Sequence, residues 1–245
     1  MFKDHVAVVT GASRGIGYAT AKALAAEGAH VIAVARTIGS LEALDDDIKA
    51  SDNGGTTLVP LDITDYDALD RLGGVIAKKY GKLDILIGNA ATLGDITPLS
   101  HLKPKVWHQV MDINVTANYR LIRSLDPLLR AADNGRAVFL GSSGVVRDPR
   151  AFWGGYAVSK AALECMIKTY ALEIEMSNLR ANILNPGAIK TAMRARAVPG
   201  EDASTLDTPA DLMPLMLKLC SPDFNDNGKI ADYKMWKKDK ENFFF

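Results

Sequence analysis

The sequence predicts one α/β domain built on a doubly wound parallel sheet of about seven strands, with helices on both faces. Short apolar and β-branched runs alternate along the chain with longer helical patterns, which is the signature of a parallel sheet covered by helices. A chain of 245 residues with 48% hydrophobic content can bury a substantial core. No linker, internal repeat or low-complexity block interrupts the alternation, so residues 1–245 are predicted to form a single domain.

The strands are predicted where an apolar run is bounded by turn residues. Six runs meet this description, at residues 6–10, 30–35, 56–61, 83–88, 137–141 and 181–185. A seventh strand is predicted near residues 229–233, because Gly228 and the Asn-Asp-Asn cluster before it supply a turn. Helical patterns fill the gaps, at residues 16–27, 40–50, 65–80, 102–129, 155–177 and 209–219.

Charge and cysteine usage narrow the class of function. The chain carries 29 basic and 29 acidic residues, which gives no reason to expect nucleic acid or a membrane surface as a partner. Cys165 and Cys220 form no paired motif and the four histidines show no ligand spacing, so neither a disulfide framework nor a metal site is expected. The first residues show no signal-peptide core, and no apolar run is long enough to span a bilayer. These features predict a cytoplasmic protein that acts on small molecules.

The first predicted strand runs into a glycine-rich loop that leads directly into a helix. The loop reads Thr-Gly-Ala-Ser-Arg-Gly-Ile-Gly over residues 10–17. Gly11, Gly15 and Gly17 permit a tight turn and let a pyrophosphate approach backbone amides at the helix N-terminus. The alternative is a strand-to-helix turn that binds nothing. Because strand, loop, helix and second strand follow in the expected order, the context favours a dinucleotide-binding fold of the Rossmann type.

Tyr156 and Lys160 lie four residues apart in Gly-Tyr-Ala-Val-Ser-Lys, within a segment that is predicted to be one long helix. This spacing places both side chains on one helix face. An ammonium about 5 Å from a phenol oxygen contributes roughly 3 kcal/mol at an effective dielectric of about 20, or on the order of two pKa units. The sequence therefore predicts that the pKa of Tyr156 is lowered towards neutrality, which suits proton exchange with a carbonyl and alcohol pair.

The glycine loop and the Tyr-x-x-x-Lys pair together resemble the short-chain dehydrogenase/reductase family over residues 6–191. The Thr-Gly-x-x-x-Gly-x-Gly spacing is the one typical of that family. The resemblance implies that Ser13, Arg14 and Ile16 line the cofactor site together with the three loop glycines. It also implies that Lys160 hydrogen-bonds the nicotinamide ribose, beside Tyr156.

Two further motifs resemble the cofactor contacts of the family. Asp62, in Leu-Asp-Ile-Thr, would accept a hydrogen bond from the adenine amine, with Ile63 next to it. Asn89, in Gly-Asn-Ala-Ala, would brace the sheet beside the cofactor, with Ala90 next to it. Ala91 stands where the family usually has glycine, which removes some backbone freedom but no reactive group.

The resemblance also assigns two more catalytic residues. Asn114 matches the asparagine that bends a helix of the family and orders a water that relays protons from the catalytic lysine. Ser143 lies thirteen positions before Tyr156, at the family spacing for the serine that hydrogen-bonds the substrate carbonyl. Its neighbour Ser142 is the fallback, and a serine after a strand can also be a plain turn residue.

Cofactor choice is predicted from charge at the end of the second strand. A site specific for NAD usually has an acid about twenty residues beyond the glycines, on the ribose 2′-hydroxyl. This chain has Arg36 there, and Arg14 would approach a 2′-phosphate from the other side. The sequence therefore predicts NADP(H) as the preferred cofactor. In the alternative, Arg36 stacks on the adenine, Arg14 is a solvated charge and NAD(H) is also used.

The segment after the sixth strand resembles the Pro-Gly motif of the family. Backbone and side chains of Pro186, Gly187, Ile189 and Thr191 would hold the nicotinamide amide. Residues 192–208 would form a lid over the substrate. The lid and the pocket wall are predicted to be apolar and to include the side chains of Val145, Trp153 and Met193. The arginines at positions 147, 150, 194 and 196 either bind an acidic substrate or are solvated.

Residues 234–245 depart from the family and end in three phenylalanines. This atypical tail either docks on a neighbouring subunit or packs locally. A homodimer or homotetramer is expected, with the helices that begin near residues 102 and 155 forming the dimer contact.

The function implied by the resemblance is hydride transfer between a nicotinamide and a carbonyl or secondary alcohol. Tyr156 would protonate the substrate oxygen and Ser143 would polarise it. The substrate is expected to be a 3-oxoacyl thioester or another ketone, on family analogy alone. The alternative is a dinucleotide-binding redox sensor without catalysis, since a fold by itself does not prove chemistry.

Overall fold

The computed structural model describes residues 1–51 and 53–245. Its strands are β1 (Val6–Thr10), β2 (His30–Ala35), β3 (Gly55–Pro60), β4 (Ile85–Gly88), β5 (Arg136–Leu140), β6 (Arg180–Asn185) and β7 (Ile230–Asp232). Its α-helices are α1 (Gly15–Ala26), α2 (Ile38–Lys49), α3 (Tyr66–Tyr80), α4 (Pro104–Met111), α5 (Ala117–Ala131), α6 (Ser143–Arg147), α7 (Gly154–Glu173), α8 (Ala192–Ala197), α9 (Met213–Cys220) and α10 (Tyr233–Lys238). A π-helical segment, Asp112–Thr116, joins α4 to α5, and 3₁₀ turns occur at Leu99–His101, Ala203–Thr205 and Ala210–Leu212.

Within the described residues, the strands form one parallel sheet in the order β3-β2-β1-β4-β5-β6-β7. The chain first builds outwards from β1 to β3 and then returns to the other side of β1 with β4. The order therefore reverses between β1 and β4. In open α/β sheets, ligands bind in the crevice at the carboxyl ends of the strands beside such a reversal.

Apolar side chains bury both faces of the sheet because its strands alternate between two cores. Along β1, Val6 and Val8 pack with the buried leucines and isoleucines of α3, α5 and α7. Ala7 and Val9 pack on the opposite face with those of α1, α2 and α9. The predicted doubly wound sheet of seven strands with helices on both faces is confirmed.

The long helix predicted over residues 102–129 is wrong in two respects. It begins at Pro104, and the π-helical segment interrupts it. A wider turn of this kind leaves the apolar periodicity on either side intact, so the sequence pattern does not reveal it. The helices α6, α8 and α10 were not predicted, because five or six residues are too few to show a helical period.

The C-terminal tail packs locally, which is the second of the two alternatives. Phe243 is buried, and its carbonyl oxygen accepts a hydrogen bond from Asp232 N at 2.8 Å. Phe245 N donates to the Ile230 carbonyl at 3.0 Å, and Phe244 forms an antiparallel bridge with Ala231. The last three residues therefore pair with β7 and cover the edge of the sheet, which would otherwise expose unpaired backbone groups.

Phe243→Ala should destabilise the protein by about 3 to 5 kcal/mol, because it empties a fully buried aromatic site. Phe245→Ala is the matched control, since Phe245 is 44% exposed and its loss should cost about 1 kcal/mol or less. The free energy of unfolding in urea measures both. Equal costs for the two variants would show that the tail does not pack as described.

Candidate active site

The glycine loop adopts a backbone that other residues would strain. Gly11 and Gly15 have φ angles of 66° and 58°, in the left-handed region. A Cβ on Gly17 would clash with the carbonyl oxygen of Gly11, so the start of α1 packs directly on the loop. Arg14 is the N-cap of α1 and makes no side-chain cap, and the first turn contains no acidic residue. These first-turn N–H groups therefore suit an anionic ligand.

Asn89 braces this loop from the end of β4. Its Nδ2 donates to the Thr10 carbonyl at 2.8 Å and to the Gly11 carbonyl at 3.3 Å. The Thr10 hydroxyl accepts from the backbone N–H groups of Asn89 and Ala90, at 3.0 and 3.1 Å, and donates to the Ile87 carbonyl at 3.1 Å. These hydrogen bonds join the carboxyl ends of β1 and β4, which is the bracing arrangement that the resemblance implies for Asn89.

Arg36 and Asp62 lie together just beyond the ends of β2 and β3. The Arg36 Nη1 to Asp62 Oδ2 distance is 3.8 Å, and both side chains are largely solvent-exposed. Partial burial opposes ionisation of Asp62, but hydrogen bonds from Thr64 and the Arg36 charge hold its pKa below the usual value. Ile63, next in the chain, is buried in the core. The guanidinium is therefore partly neutralised by the carboxylate of Asp62, the residue that the resemblance assigns to adenine.

The Pro186-Gly187 loop lies against the glycine loop. Gly187 has a φ of 68°, and Ile189 is buried. A Cβ on Gly15 would lie 3.5 Å from Thr191 Cγ2, which places the two loops in contact. The Thr191 hydroxyl caps α8 by accepting from Arg194 N at 3.1 Å, and it donates to the Ile189 carbonyl at 3.3 Å. Thr191 is thus a helix cap at the mouth of the crevice.

Tyr156 and Lys160 are both buried on α7, with exposures of 9% and 3%. Lys160 Nζ donates to the Leu140 carbonyl at the end of β5, at 2.6 Å, and lies 5.8 Å from the centroid of the Tyr156 ring. Burial lowers the pKa of Lys160 to about 8, and the Glu164 carboxylate opposes this shift. Burial raises the pKa of Tyr156, and a hydrogen bond with the Ser142 side chain opposes that shift.

The predicted lowering of the Tyr156 pKa is therefore wrong in direction. Spacing on the helix placed the ammonium near the ring, as expected, but the phenol is almost fully removed from water. Desolvation disfavours the phenolate more strongly than its neighbours favour it. The neutral phenol is the form of Tyr156 that this environment favours.

Ser142 and Ser143 lie at the turn between β5 and α6. The Ser143 hydroxyl is fully buried and donates to Glu164 Oε1 at 2.6 Å. The Ser143 backbone N–H donates to Asn185 Oδ1 at 3.1 Å. The side chain of the fallback residue Ser142 counteracts the upward shift of the Tyr156 pKa. The role of Ser143 in polarising a substrate carbonyl stays a prediction, with Ser142 as the fallback.

Asn114 lies in the π-helical segment and is fully buried. Its Oδ1 accepts from Thr92 N at 2.8 Å, and its Nδ2 donates to the Thr92 carbonyl and to Ser159 Oγ, both at 2.9 Å. The predicted departure from a regular helix is present, and the water relay remains a prediction. Ser159 was missed by sequence reasoning, although its position three residues after Tyr156 on α7 is a signal that could have found it.

A small apolar cluster surrounds Tyr156 and supplies a pocket wall. Its members are Leu93, Val145, Trp153, Ala157 and Ala197. Trp153 meets Tyr156 edge to face, with ring centroids 6.1 Å apart. Met193 is not part of this cluster and is 36% exposed, because α8 reaches the cluster only through Ala197 at its C-terminal end. The prediction for Val145 and Trp153 agrees with this arrangement, and that for Met193 does not.

The four arginines near the pocket all contact groups of the chain itself. Arg194 forms a two-pronged ion pair with Glu201, with distances of 2.5 and 2.6 Å. Arg196 donates to the Gly94 carbonyl. Arg150 lies over the Trp153 ring at 5.9 Å, and Arg147 lies over the Phe245 ring at 3.9 Å. The Arg194 contact lies within residues 192–208, and the Arg196 contact joins these residues to the segment after β4.

Among residues 1–51 and 53–245, no group of three His, Cys, Asp or Glu side chains is arranged to hold a metal ion.

Within the same residues, none of the helices combines the length and the apolar character needed to cross a membrane.

The sequence matches the family model for short chain dehydrogenases over residues 5–202. The chain belongs to the short-chain dehydrogenase/reductase family. It is therefore an oxidoreductase of this family. The paired Tyr156 and Lys160 and the glycine loop at the β1–β4 reversal are the features of this chain that resemble the family.

Two curated relatives and one solved structure define its neighbourhood within the short-chain dehydrogenase/reductase family. The uncharacterized oxidoreductase YciK of Escherichia coli (strain K12) is 41% identical over 225 residues, which cover 91% of this chain and 88% of the relative. The 3-oxoacyl-[acyl-carrier-protein] reductase FabG of the same organism is 32% identical over 192 residues, or 78% and 76% of the two chains. A protein from Shigella flexneri 2a, solved in complex with NADP, is 39% identical with a TM-score of 0.89, and the match covers 95% of this chain and 98% of that one.

In this short-chain dehydrogenase/reductase, Asn114→Ala should cost about 2 to 4 kcal/mol of stability. It removes three buried hydrogen bonds and leaves the Thr92 backbone groups unpaired. Asn225→Ala is the control, because Asn225 is exposed and its side chain makes one hydrogen bond, to the Asp223 carbonyl. Urea unfolding compares the two variants. A cost for Asn114→Ala no larger than that of the control would contradict the brace.

Proposed function

We propose that this chain is an NADP(H)-dependent oxidoreductase that interconverts a carbonyl and a secondary alcohol, with Tyr156 as the general acid and base. The observation that carries this proposal is the burial of Tyr156 and Lys160 together on α7, at the carboxyl end of β5 and within the apolar cluster. Burying a phenol and an ammonium away from water costs free energy. Groups whose pKa values are perturbed in this way concentrate at functional sites.

The residues of the chain suit proton transfer to a substrate oxygen. Burial keeps Tyr156 in the phenol form, so it is ready to donate a proton in the direction of carbonyl reduction. A hydroxyl of the turn between β5 and α6, that of Ser143 or of its fallback Ser142, would donate to the same oxygen and stabilise charge that develops there. Lys160 would stabilise the phenolate that forms as the proton leaves, because its positive charge is close and poorly screened. Asn114 would hold α7 and the segment after β4 in a fixed relative position.

The crevice fits a dinucleotide. Its loop glycines leave room for close approach, and the uncapped first turn of α1 offers backbone donors to a pyrophosphate. When bound, the nicotinamide supplies or accepts the hydride. The residues that would hold the cofactor are Gly11, Ser13, Arg14, Gly15, Ile16, Gly17, Arg36, Asp62, Ile63, Asn89, Ala90, Tyr156, Lys160, Pro186, Gly187, Ile189 and Thr191.

Preference for NADP(H) over NAD(H) is supported by charge. Arg36 follows β2 directly and is 66% exposed, and Arg14 is exposed in the loop. A guanidinium pairs well with a phosphate. The solved relative in complex with NADP points the same way. The Asp62 carboxylate, 3.8 Å from Arg36, weakens this preference without reversing it, because Thr64 also donates two hydrogen bonds to that carboxylate.

A 3-oxoacyl thioester or another ketone is the proposed substrate. The similarity to a 3-oxoacyl-[acyl-carrier-protein] reductase supports a thioester. The apolar wall around Tyr156 supports a substrate whose carbonyl is flanked by hydrocarbon. Residues 192–208 would act as the lid, since Ala197 of α8 already reaches this wall.

Assembly and compartment are proposed on separate grounds. Tyr119 on α5 and Val158 and Leu172 on α7 are large apolar side chains that are 43 to 72% exposed, which supports a homodimer or homotetramer through these helices. Leu163 and Ile167, on the same helix, belong to the core and do not contribute to such a face. Cys165 and Cys220 are free thiols, which supports a reducing, cytoplasmic location.

Arg36→Glu should weaken NADPH binding by about 10- to 100-fold, because a carboxylate replaces a charged donor to the 2′-phosphate. NADH binding should change by less than about threefold. Fluorescence titration of the purified protein gives both dissociation constants, and Arg71→Glu on α3 is the control for an equal change of charge at an exposed site. Tighter binding of NADH than NADPH by the unaltered protein would refute the assignment of Arg14 and Arg36.

Tyr156→Phe should lower kcat by at least about 10³-fold on ketones and 3-oxoacyl thioesters, since it removes the proton donor. Its NADPH dissociation constant should stay within about threefold of the original, because the ring is retained. Loss of reduced-nicotinamide absorbance measures turnover. Turnover that survives the substitution would overturn the proposal. Tight NADPH binding by the unaltered protein with no turnover on any carbonyl would favour the redox sensor instead.

A further inference from the structure

The segment formed by residues 192–208 begins and ends at neighbouring positions in space. Lys190 N donates to the Asp207 carbonyl at 2.8 Å, and Ile189 forms a parallel bridge with Asp207. These contacts join the end of the segment to the loop of residues 186–191, which would hold the nicotinamide amide. The position of Asp207 therefore constrains that loop.

Asp207 is held in turn by the C-terminal helix α10. Its Oδ2 accepts a hydrogen bond from Lys237 Nζ at 2.6 Å, and both side chains are partly exposed. The carboxylate of Asp211 accepts from the backbone N–H and the hydroxyl of Thr208, at 2.7 and 2.6 Å. Asp207 is thus the carboxylate with which Lys237 forms its ion pair.

The helix that carries Lys237 is fixed to the body of the protein. Tyr233 is buried, and its hydroxyl donates to the Asp211 carbonyl at 3.1 Å. Trp236 is also buried and stacks on Tyr233, with ring centroids 6.1 Å apart. Asp232 caps the helix by accepting from Met235 N at 2.8 Å. Lys237 therefore extends from an anchored helix, so its ion pair can hold Asp207 in place.

We propose that Lys237 is a positioning residue, which acts through Asp207 on the loop of residues 186–191 and thereby strengthens binding of the nicotinamide half of the cofactor. This inference rests on the proposed function. It gives α10, most of which lies in the tail that departs from the family, a role in cofactor binding.

The adenine half of the cofactor is assigned to a different part of the crevice. Arg36 and Asp62 follow β2 and β3, whereas the loop of residues 186–191 follows β6, on the other side of β1. A displaced loop should therefore weaken contacts with the nicotinamide half and leave contacts with the adenine and the 2′-phosphate unchanged. A general loss of structure would weaken both halves alike.

The decisive variant is Lys237→Met, which removes the charge and keeps an unbranched side chain beside the Tyr233 ring, 5.7 Å from the original ammonium. Its dissociation constant for NADPH should rise about three- to fivefold, as expected for the loss of a partly exposed ion pair. Its dissociation constant for 2′,5′-ADP, which lacks the nicotinamide half, should stay within about 1.5-fold of the original. Fluorescence titration measures NADPH binding, and calorimetry measures binding of 2′,5′-ADP.

Lys238→Met is the matched control, because Lys238 is adjacent on α10 and exposed. Both dissociation constants should stay within about 1.5-fold of the original in this variant. Equal weakening of NADPH and 2′,5′-ADP by Lys237→Met would overturn the inference, since it would show a general structural effect. An unchanged NADPH dissociation constant in Lys237→Met would overturn it as well.

Charge is tested separately from side-chain packing. Lys237→Arg keeps the positive charge and should bind NADPH within about twofold of the original protein. At about 1 M NaCl, where the Debye length is about 3 Å, the original protein and Lys237→Met should bind NADPH equally. A difference that persists at high salt would show that the ion pair is not the cause and would overturn the inference.

The Lys190 amide supplies a readout that needs neither cofactor nor turnover. Its N–H group donates to the Asp207 carbonyl, so it reports whether the loop stays attached to Asp207. In Lys237→Met this amide should exchange with deuterium about three- to fivefold faster, because local opening becomes easier. The amides of β1 should exchange at unchanged rates. An unchanged rate at Lys190 would overturn the link between Lys237 and the loop.

These outcomes are separable from failure of the proposed function. If Tyr156→Phe keeps its turnover, the proposed function fails whatever the Lys237 variants do. If Tyr156→Phe is inactive while Lys237→Met matches the original protein in NADPH affinity and in Lys190 exchange, the proposed function stands and the inference about Lys237 fails.

Discussion

The buried ammonium of Lys160 is the constraint on which the rest of the site depends. Moving a lysine out of water is costly, and the protein compensates with one short hydrogen bond to the end of β5 and one carboxylate a helical turn away. The hydrogen bond to Leu140 requires α7 to lie tightly against the carboxyl end of the sheet. The apolar residues of α7 that pack into the core, such as Leu163 and Ile167, supply that close approach.

Asparagine side chains tie together the loops at the carboxyl end of the sheet at three places. Asn89 joins β1 to β4, Asn114 joins the segment after β4 to α7, and Asn185 joins the β5–α6 turn to β7. An amide carries both a donor and an acceptor, so one side chain can satisfy two backbone groups that no strand or helix would pair. This use of amides keeps the crevice rigid without introducing further charges next to Tyr156 and Lys160.

The carboxyl end of the sheet is also connected to the C-terminal tail of the chain. Asp232 is the last residue of β7. Its side chain accepts a hydrogen bond from Asn185 Nδ2, and it caps α10 by accepting from Met235 N at 2.8 Å. Its own N–H donates to Phe243 in the tail. Arg147, at the end of α6, lies over the ring of Phe245. The tail that departs from the family pattern is thus part of the support of the Ser142 turn, and its packing follows from the open edge of β7.

Local patterns in the sequence determined the sheet, its two helical layers, the glycine loop and the shared helix face of Tyr156 and Lys160. Each depends on residues within a few positions of one another, where periodicity and turn chemistry act. Tertiary structure alone decided the direction of the Tyr156 pKa shift, the Glu164 partner of the Ser143 hydroxyl, the π-helical turn at Asn114 and the local packing of Phe243. These four depend on desolvation and on partners such as Glu164, Thr92 and Asp232, which are distant along the chain and come close only through the fold. No local signal encodes such contacts.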